Sequence, residues 1–374
     1  MDFQLSDEQV LLRDTAAGVL AGYDTETRNK TVDADPGFSR EVWKQLADIG
    51  ILGLGFEPDA GGQIEIMLVA TEIGRRLAPE PVIDAAWGPG ALIAETGTDE
   101  QRQLLDEVAE GRKLLAWAHF EPGMRSPTGE LSTSAARQGE SWVLNGRKNP
   151  VLAGDCADTL VVSAALPGGG TGLFLVATDT TSDTLTRRPY RMFDGRRGAQ
   201  IDFDQAPAEP LGEIGDSTDA AQAVANAVVR TQSALCAEAL GAMAEALRLT
   251  CEYLKTRKQF GVTLNTFQTL TQRAADMYVS LELARSMSLY AAMSIADGNL
   301  DPLIAARAKL QIGTSGRHIA QEAIQLHGGI GMTWEYPVGH YAARLTAIER
   351  TLGSSQDQLH LLIDHLGDHD LARL

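Results

Sequence analysis

Cysteine is scarce in this chain, with three residues in 374. Cys156, Cys236 and Cys251 are odd in number, scattered, and in no CxxC spacing. A disulfide framework or a thiolate metal site needs paired and regularly spaced cysteines. The pattern therefore predicts reduced, buried thiols and no metal centre.

Long apolar runs are also missing. No stretch reaches the roughly 20 apolar residues that a membrane-spanning helix needs. The N-terminus has no basic segment followed by an apolar run, which a secretory signal would require. We therefore expect no membrane span and a cytoplasmic location.

Basic residues are outnumbered, since 32 Lys and Arg face 50 Asp and Glu, a formal net charge of −18. This balance repels phosphate backbones and anionic lipid, so nucleic acid and membrane surfaces are not expected partners. A polyanionic ligand would have to meet a local basic patch.

The hydrophobic pattern divides the chain into helical, β and helical parts. In residues 1–113, Ser6 with Gln9 forms a capping-box pattern, and Ser39 is placed to cap a second helix. In residues 114–215, short apolar runs bounded by Gly, Pro, Asp or Asn predict a small β-barrel or sandwich, with Asn145-Gly146 as a hairpin turn.

Residues 216–374 return to helical periodicity, with Gly298 as a stop and Asp301-Pro302 as a new start. Long helices with apolar faces on more than one side form bundles, and part of that surface often packs on another subunit. We predict an α+β multidomain protein: an N-terminal helical domain (1–113), a middle β-domain (114–215) and a C-terminal helical bundle (216–374).

Two segments of the last third carry the most specific pattern, Tyr253–Gln268 and Glu322–Gln356. In the second, closely spaced glycines let a backbone approach a ligand or another chain where a Cβ would collide. Both segments resemble the acyl-CoA dehydrogenase family, whose C-terminal domain carries an R-x-x-F-G motif, a following Gln and a Q-x-x-G-G-x-G turn. The matching residues are Arg257, Phe260, Gly261, Gln268, Gln325, Gly328, Gly329 and Gly331. The opening MDFQLSDEQVLLRD and the later WVLNGRK also resemble the family, so the likeness covers nearly the whole chain.

The resemblance implies an acyl-CoA substrate, an FAD cofactor in a groove between two neighbouring subunits, and electron-transfer flavoprotein as the usual acceptor. In the family a carboxylate removes the α-proton of the thioester while the β-hydride passes to the flavin. One half of the site, the trans half, is contributed by the neighbouring subunit and binds the pyrophosphate and adenosine. The resemblance assigns cofactor contacts to Arg257, Phe260, Gln268, Gln325, Gly328, Gly329, Ser354 and Gln356.

The other half of the site, the cis half in the β-domain, departs from the family pattern. The T-E-P-G-x-G-S segment appears as Phe120–Ser126, with Phe120 where a flavin-bonding Thr belongs. The NG-x-K-x-W-I-T segment is Asn145–Leu152, with Pro150 for the Trp and Leu152 for the Thr. An apolar side chain cannot replace a hydroxyl, and proline also removes a backbone donor. We expect this half not to hold a flavin ring in the usual way.

The catalytic base is missing from the place where the resemblance puts it. Counting from the E-Y-P-V motif, that place falls on Leu352, and leucine takes no proton. The second location of the family, near Thr231 and Gln232, carries no acid either. Glu349, three residues before Leu352, is a candidate for a relocated base, and a salt-bridged structural glutamate is the competing interpretation.

The sequence thus keeps the residues of the trans half and lacks those of the cis half and the base. The resemblance implies this combination for the small, non-catalytic subunit of heteromeric bacterial acyl-CoA dehydrogenases. Ala234–Met243, Tyr253–Gly261 and Gln325–Tyr341 especially resemble the pimeloyl-CoA dehydrogenase small subunit group. The partner would be a homologous large subunit in an oligomer such as a heterotetramer of fatty acid or steroid catabolism. Two alternatives stay open: a self-sufficient homo-oligomeric enzyme with a relocated base, and a non-redox acyl-CoA-binding or scaffold relative.

Overall fold

A computed structural model describes residues 4–57, 61–139, 141–178, 183–215 and 218–368. In these residues the α-helices are α1 (Asp7–Val19), α2 (Thr25–Asp33), α3 (Arg40–Asp48), α4 (Gln63–Arg76), α5 (Gly88–Thr96), α6 (Asp99–Ala109), α7 (Ala221–Thr256), α8 (Gln268–Ala296), α9 (Pro302–His327), α10 (Pro337–Arg350) and α11 (Ser355–Asp364). The strands are β1 (Leu115–Ala118), β2 (Ser134–Gln138), β3 (Ser141–Leu152), β4 (Thr159–Ala165), β5 (Thr171–Ala177), β6 (Leu185–Arg191), β7 (Arg197–Pro210), β8 (Lys258–Gln259) and β9 (Val262–Thr263). The predicted order of helical, β and helical parts is confirmed.

The predicted helix starts are confirmed by their hydrogen bonds. Ser6 Oγ accepts from the Gln9 amide at 3.2 Å, while the Gln9 side chain accepts from the Ser6 amide at 3.1 Å. Ser39 Oγ accepts from the Val42 amide at 3.2 Å. Each serine oxygen thus satisfies an N–H group that the first helical turn leaves without an intrahelical partner.

The strands of the β region pair in a closed circuit. β3 pairs antiparallel with β2 and β7, β7 pairs with β5 and β6, and β5 pairs with β4. β4 also pairs parallel with β1, and it reaches β2 through the Ser134–Ala165 pair. The circuit β2–β3–β7–β5–β4 encloses an apolar core, whose largest members include Leu144, Leu160, Val162, Phe174, Ile201 and Phe203. This is the predicted small barrel.

The predicted hairpin turn at Asn145-Gly146 is wrong. β3 runs straight through these residues, and the ladder with β7 is interrupted there by a bulge between Leu144 and Gly146. Asn145 Oδ1 accepts from the Gln205 amide at 2.9 Å, which satisfies a donor near the bulge. Gly146 has φ +145°, and a Cβ there would lie 2.7 Å from Thr133 Cα. The glycine therefore serves a bulge and a close backbone approach, two uses that share the Asn-Gly signal with a turn.

Residue contacts divide the chain into two compact units. The first comprises Met1–Asn29, Gln63–Ala78 and Gln232–Leu374, and the second comprises Lys30–Gly62 and Pro79–Thr231. The predicted domain boundaries after residues 113 and 215 stay predictions, and residue 216 lies outside the described residues. Among the helices described, none is both long and apolar enough to cross a membrane.

In the first unit, α4 and α7 cross with backbone against backbone. A Cβ at Gly74 would lie 1.8 Å from the Glu238 carbonyl oxygen, and one at Gly241 would lie 1.9 Å from that of Thr71. Only glycine permits this approach. The close contact between α4 and α7 therefore depends on one glycine in each helix.

Gly74→Ala is expected to lower the free energy of unfolding by about 1–3 kcal/mol or more, because the added methyl group must push two helices apart. Gly18→Ala is the matched control, since Gly18 also lies in a helix and a Cβ there would meet nothing within 4 Å. The control should leave stability unchanged or raise it by about 0.5–1 kcal/mol. Urea unfolding measures both, and equal stabilities for the two variants would contradict the close crossing.

Candidate functional site

Arg257 lies at the base of a two-stranded hairpin that follows α7. Its amide donates to the Tyr253 carbonyl at 2.8 Å, and its carbonyl accepts from the Leu264 amide at 2.9 Å. The turn between β8 and β9 consists of Phe260 and Gly261, both with positive φ, as a two-residue type I′ turn requires. Arg257 is exposed and Phe260 is 92% exposed. The hairpin therefore leaves a cation and an aromatic ring free to contact a ligand or a second chain.

The glycine turn after α9 contains glycines of two kinds. Gly328 ends the helix with φ +66°. A Cβ added at Gly328 or at Gly329 would meet no heavy atom within 4 Å. Gly331 is buried, and a Cβ there would lie 3.0 Å from the Cβ of His327. Gly328 and Gly329 therefore leave open space over the backbone, whereas Gly331 is needed for packing.

Contacts between helices bring the predicted trans residues to one end of the helical unit. The rings of Tyr253 on α7 and His327 on α9 lie 4.5 Å apart. Arg273 on α8 forms an ion pair with Glu322 on α9 at 2.5 Å. The start of α8 and the ends of α7 and α9 thus meet, and these positions carry the exposed Arg257, Gln268, Gln325 and Gly329.

This end of the unit fits a diphosphate. A guanidinium offers several donors in a fixed fork, and amide side chains and open glycine backbone supply further donors. The residues present therefore fit the adenosine diphosphate part of FAD, which is the role that the resemblance predicts for them.

The resemblance predicts the catalytic base at Leu352 or near Gln232, and these two residues lie side by side. Gln232 Nε2 on α7 donates to the Leu352 carbonyl at 2.8 Å, and Gln358 Nε2 donates to the same oxygen at 3.3 Å. Leu352 is buried and has φ +57°, a left-handed conformation that non-glycine residues adopt only when neighbours hold them. Neither Leu352 nor Gln232 has a side chain that can take a proton.

Glu349 is held by three partners. Its carboxylate accepts from the Ser355 amide at 3.0 Å and from Arg317 at 3.3 Å, and it contacts Arg350 at 3.0 Å. The residue is 8% exposed. This carboxylate on α10 accepts from the first amide of α11 and pairs with two arginines, so both of its oxygens already have partners. The geometry favours the structural interpretation over a relocated base.

Lys309 is a functional-site neighbour that sequence reasoning missed. This fully buried side chain of α9 donates to the carbonyls of Ile348, Glu349 and Gly353 at 2.7, 3.1 and 3.2 Å. Burial lowers the pKa of Lys309 to about 8. The ammonium satisfies carbonyls at the end of α10 and so fixes the loop that carries Leu352. The signal in the sequence was a lysine on the helix face of α9 that also carries the apolar Ala305, Ala306 and Ile312.

Ser354 and Gln356 have local partners. Ser354 caps α11, where its hydroxyl donates to Asp357 Oδ2 at 2.6 Å and accepts from the Asp357 amide at 3.3 Å. The side-chain amide of Gln356 donates to His360 Nε2 at 2.9 Å on the exposed face of the same helix. A role for either residue in cofactor binding stays a prediction.

In the β region, the Glu-Pro-Gly segment is anchored by a buried ion pair. Glu121 lies 2.7 Å from Lys148 Nζ, and their side chains are 5% and 0% exposed. The same carboxylate accepts from the amides of Ser132 and Thr133 at 2.6 and 2.9 Å. Lys148 also donates to the His119 carbonyl at 3.0 Å. These bonds hold the segment after β1 against the middle of β3.

The departures from the family pattern lie next to each other at this anchor. The Asn149 amide donates to the Phe120 carbonyl at 2.7 Å, which brings Pro150 beside Phe120. Pro150 is exposed in a bulge of β3 and has no N–H group to offer, and the half-buried Phe120 side chain has no polar atom. Phe120, Pro150 and Leu152 therefore do not fit the polar edge of a flavin ring.

His119 is buried as a neutral imidazole beside the anchor. Its Nε2 lies 2.6 Å from the Pro127 carbonyl, which only accepts, so Nε2 carries the proton and Nδ1 accepts from Ser163 Oγ at 2.9 Å. Burial lowers the pKa of His119 to about 4.

This shift predicts acid sensitivity. Below its unfolded pKa of 6.5, the unfolded state binds a proton that the folded state does not, so stability falls as pH drops from 6.5 through 4. The loss from this residue should approach about 3 kcal/mol. His119→Gln, measured by urea unfolding between pH 7 and pH 4, should show a flatter dependence than the parent. His360→Gln, at an exposed histidine of α11, is the control and should keep the slope of the parent.

Comparisons with known proteins agree with this fold. Residues 6–112 match the acyl-CoA dehydrogenase N-terminal domain, and residues 221–367 match the acyl-CoA dehydrogenase C-terminal domain. The mitochondrial short-chain specific acyl-CoA dehydrogenase of Homo sapiens is 30% identical over 354 residues, which cover 90% of this chain and 84% of that protein. The chain belongs to the acyl-CoA dehydrogenase family. This family consists of flavin-dependent oxidoreductases that act on acyl-CoA.

Other relatives cover almost the whole chain. The probable acyl-CoA dehydrogenase YngJ of Bacillus subtilis is 28% identical over 372 residues, 96% of this chain and 97% of that protein. Two structures of multi-subunit relatives are similar. A variant of the Tcur3481-Tcur3483 steroid ACAD has a TM-score of 0.88 and 29% identity, covering 97% of this chain and 98% of that one. The ChsE4-ChsE5 complex from Mycobacterium tuberculosis has a TM-score of 0.86 and 25% identity, covering 99% and 100%.

Proposed function

We propose that this chain is the non-catalytic subunit of a heteromeric acyl-CoA dehydrogenase and contributes the trans half of a shared FAD site. In this complex a homologous large subunit supplies the base and the contacts to the flavin ring. The chain itself contributes Arg257, Phe260, Gln268, Gln325, Gly328 and Gly329, as the resemblance to the small subunit group suggests.

The observation that carries the proposal is the pairing of Leu352 with Gln232. Both family positions of the base meet at one hydrogen bond, and neither side chain ionises. Glu349, the nearest acid along the chain, is already bound to the α11 amide and two arginines. In the proposed complex, a carboxylate of the large subunit removes the α-proton.

The roles of this chain are then binding and orientation. When bound, FAD supplies the hydride acceptor. Arg257 neutralises and orients its diphosphate, and the open backbone at Gly328 and Gly329 allows close approach of the nucleotide. The Tcur3481-Tcur3483 and ChsE4-ChsE5 structures show that chains of this fold occur in two-component assemblies, which supports a partner subunit. Electron-transfer flavoprotein remains the proposed acceptor, and an acyl-CoA the proposed substrate.

The visible spectrum of the purified chain tests the proposal. The chain is expressed alone and then with a homologous dehydrogenase encoded beside it, and bound flavin is counted per chain. We expect no flavin on the chain alone and about one flavin per pair. One flavin per chain in the absence of a partner would instead support a self-sufficient enzyme, and a colourless chain that forms no complex would support a non-redox relative.

Arg257→Ala is expected to weaken FAD binding by the complex about ten- to a hundredfold, since a charge-assisted contact to phosphate is lost. The measurement is flavin retained after gel filtration, followed by FAD titration of the stripped complex. Arg13→Ala is the control and should retain the parent amount of flavin. It removes an arginine of α1 that pairs with its exposed neighbour Asp14. Unchanged flavin content in Arg257→Ala would sink the assigned trans role.

A further inference from the structure

A cluster of three rings joins the two parts of the trans half. The centroid of His327 lies 4.5 Å from that of Tyr253 and 5.0 Å from that of Tyr336, and the two tyrosine rings are 6.3 Å apart. His327 is buried, and both tyrosines are half-buried. Such ring contacts have preferred geometries, so the cluster restricts the relative positions of the segments that carry it.

Hydrogen bonds fix the orientation of the histidine ring. His327 Nδ1 lies 2.7 Å from the Ala323 carbonyl and therefore donates to it. Nε2 is then the acceptor for the Tyr336 hydroxyl at 3.2 Å. The neutral ring has both nitrogens satisfied, and burial lowers the pKa of His327 below its ordinary value. The imidazole is held in one plane from both sides.

Two members of the cluster, Tyr253 and His327, adjoin predicted cofactor contacts. The Tyr253 carbonyl accepts from the Arg257 amide, so the ring of Tyr253 lies one helical turn before the guanidinium-bearing residue. His327 directly precedes Gly328 and Gly329, and the missing Cβ of Gly331 lets the turn pack on the His327 side chain. The distance between Arg257 and the glycine turn is therefore set through His327.

We infer that His327 is a positioning residue that holds the Arg257 hairpin and the Gly328–Gly331 turn at the spacing that a nucleotide diphosphate requires. The inference rests on the proposed function, because it concerns the same binding surface. In this role His327 acts by fixing Arg257 relative to the turn and is assigned no contact of its own with the diphosphate.

A double-mutant cycle tests this role with FAD as the probe. His327→Leu, Arg257→Ala and the double variant are prepared as complexes with the co-expressed large subunit, and the Kd for FAD is measured by titration of the stripped complexes. His327→Leu should raise the Kd about tenfold, and the double variant should bind no more weakly than Arg257→Ala alone. That lack of additivity is the signature of a residue that acts through Arg257.

The other outcomes separate the inference from the proposed function. Losses that multiply in the double variant, or an unchanged Kd in His327→Leu, overturn the positioning role while the trans role of Arg257 stands. An unchanged Kd in Arg257→Ala overturns both.

Should His327→Leu fail to fold, Tyr336→Phe removes only the hydroxyl that fixes the imidazole. It should raise the Kd several-fold in the parent and not in the Arg257→Ala background, and equal effects in both would also overturn the inference.

Discussion

Replacing Arg344 by methionine is expected to lower the free energy of unfolding by about 3–5 kcal/mol. Arg344 on α10 binds Glu238 on α7 through two parallel contacts of 2.7 and 2.8 Å, and the side chains are 4% and 0% exposed. Methionine fills much of the volume of the arginine but leaves the Glu238 carboxylate buried without its guanidinium. A buried carboxylate that loses its charged partner is destabilised because water cannot reach it to replace the lost interaction.

Two controls define the origin of this loss. Combining Arg344→Met with Glu238→Gln removes both charges and should recover a large part of the stability, because the cost lies in the remaining charge. Arg248→Met breaks ion pairs of an exposed arginine with Glu245 and Glu252 and should cost no more than about 1 kcal/mol. Urea unfolding measures all four proteins. A loss in Arg344→Met as small as that in Arg248→Met would contradict the buried pair.

Lys148→Met is the second large effect, with an expected loss of about 3–5 kcal/mol at pH 7. Lys148 is the buried counter-ion of Glu121, which keeps only its hydrogen bonds from Ser132 and Thr133 once the ammonium is gone. Burial opposes ionisation of Glu121, but hydrogen bonds from Lys148, Ser132 and Thr133 together with the charge of Lys148 lower its pKa to about 2.

The pH dependence distinguishes this pair from a packing defect. With a folded pKa of about 2 against 4.5 when unfolded, Glu121 contributes stability that is present above pH 4.5 and is lost as pH falls toward 2. The parent loses this contribution in acid, so the difference between the parent and Lys148→Met should shrink below pH 4.5. Arg147→Met on the same strand, where Arg147 is half exposed and pairs with Asp202, should cost about 1 kcal/mol or less. A difference that stays constant with pH would refute the role of the ion pair.

These two ion pairs also bear on function. Glu121 and Lys148 hold the Phe120 segment against the strand that carries Pro150, although neither the Phe120 nor the Pro150 side chain offers a polar atom. Arg344 lies on the helix that leads to Leu352, and the loop around Leu352 is held by Lys309 although it carries no carboxylate. A subunit that packs on a catalytic relative of the same fold requires this framework but does not require the reacting groups.

The sequence by itself determined the features that depend on neighbours along the chain. Local sequence predicted the capping serines at Ser6 and Ser39, the Asp301-Pro302 start and the glycine end of α9, because a cap bonds to residues two to four positions away. The order of helical and β parts followed from periodicity. The absence of an acid at Leu352 and Gln232 followed from position within the motifs.

Tertiary structure decided what depends on residues distant along the chain. Whether Asn145-Gly146 made a turn or a bulge depended on pairing with β7, about sixty residues later, and local sequence favours both. The role of Glu349 depended on Arg317 and Ser355, and the role of Lys309 on carbonyls at the end of α10. Buried polar groups must find partners wherever the packed helices place them, so their functions were settled by the fold and not by the motif in which they occur.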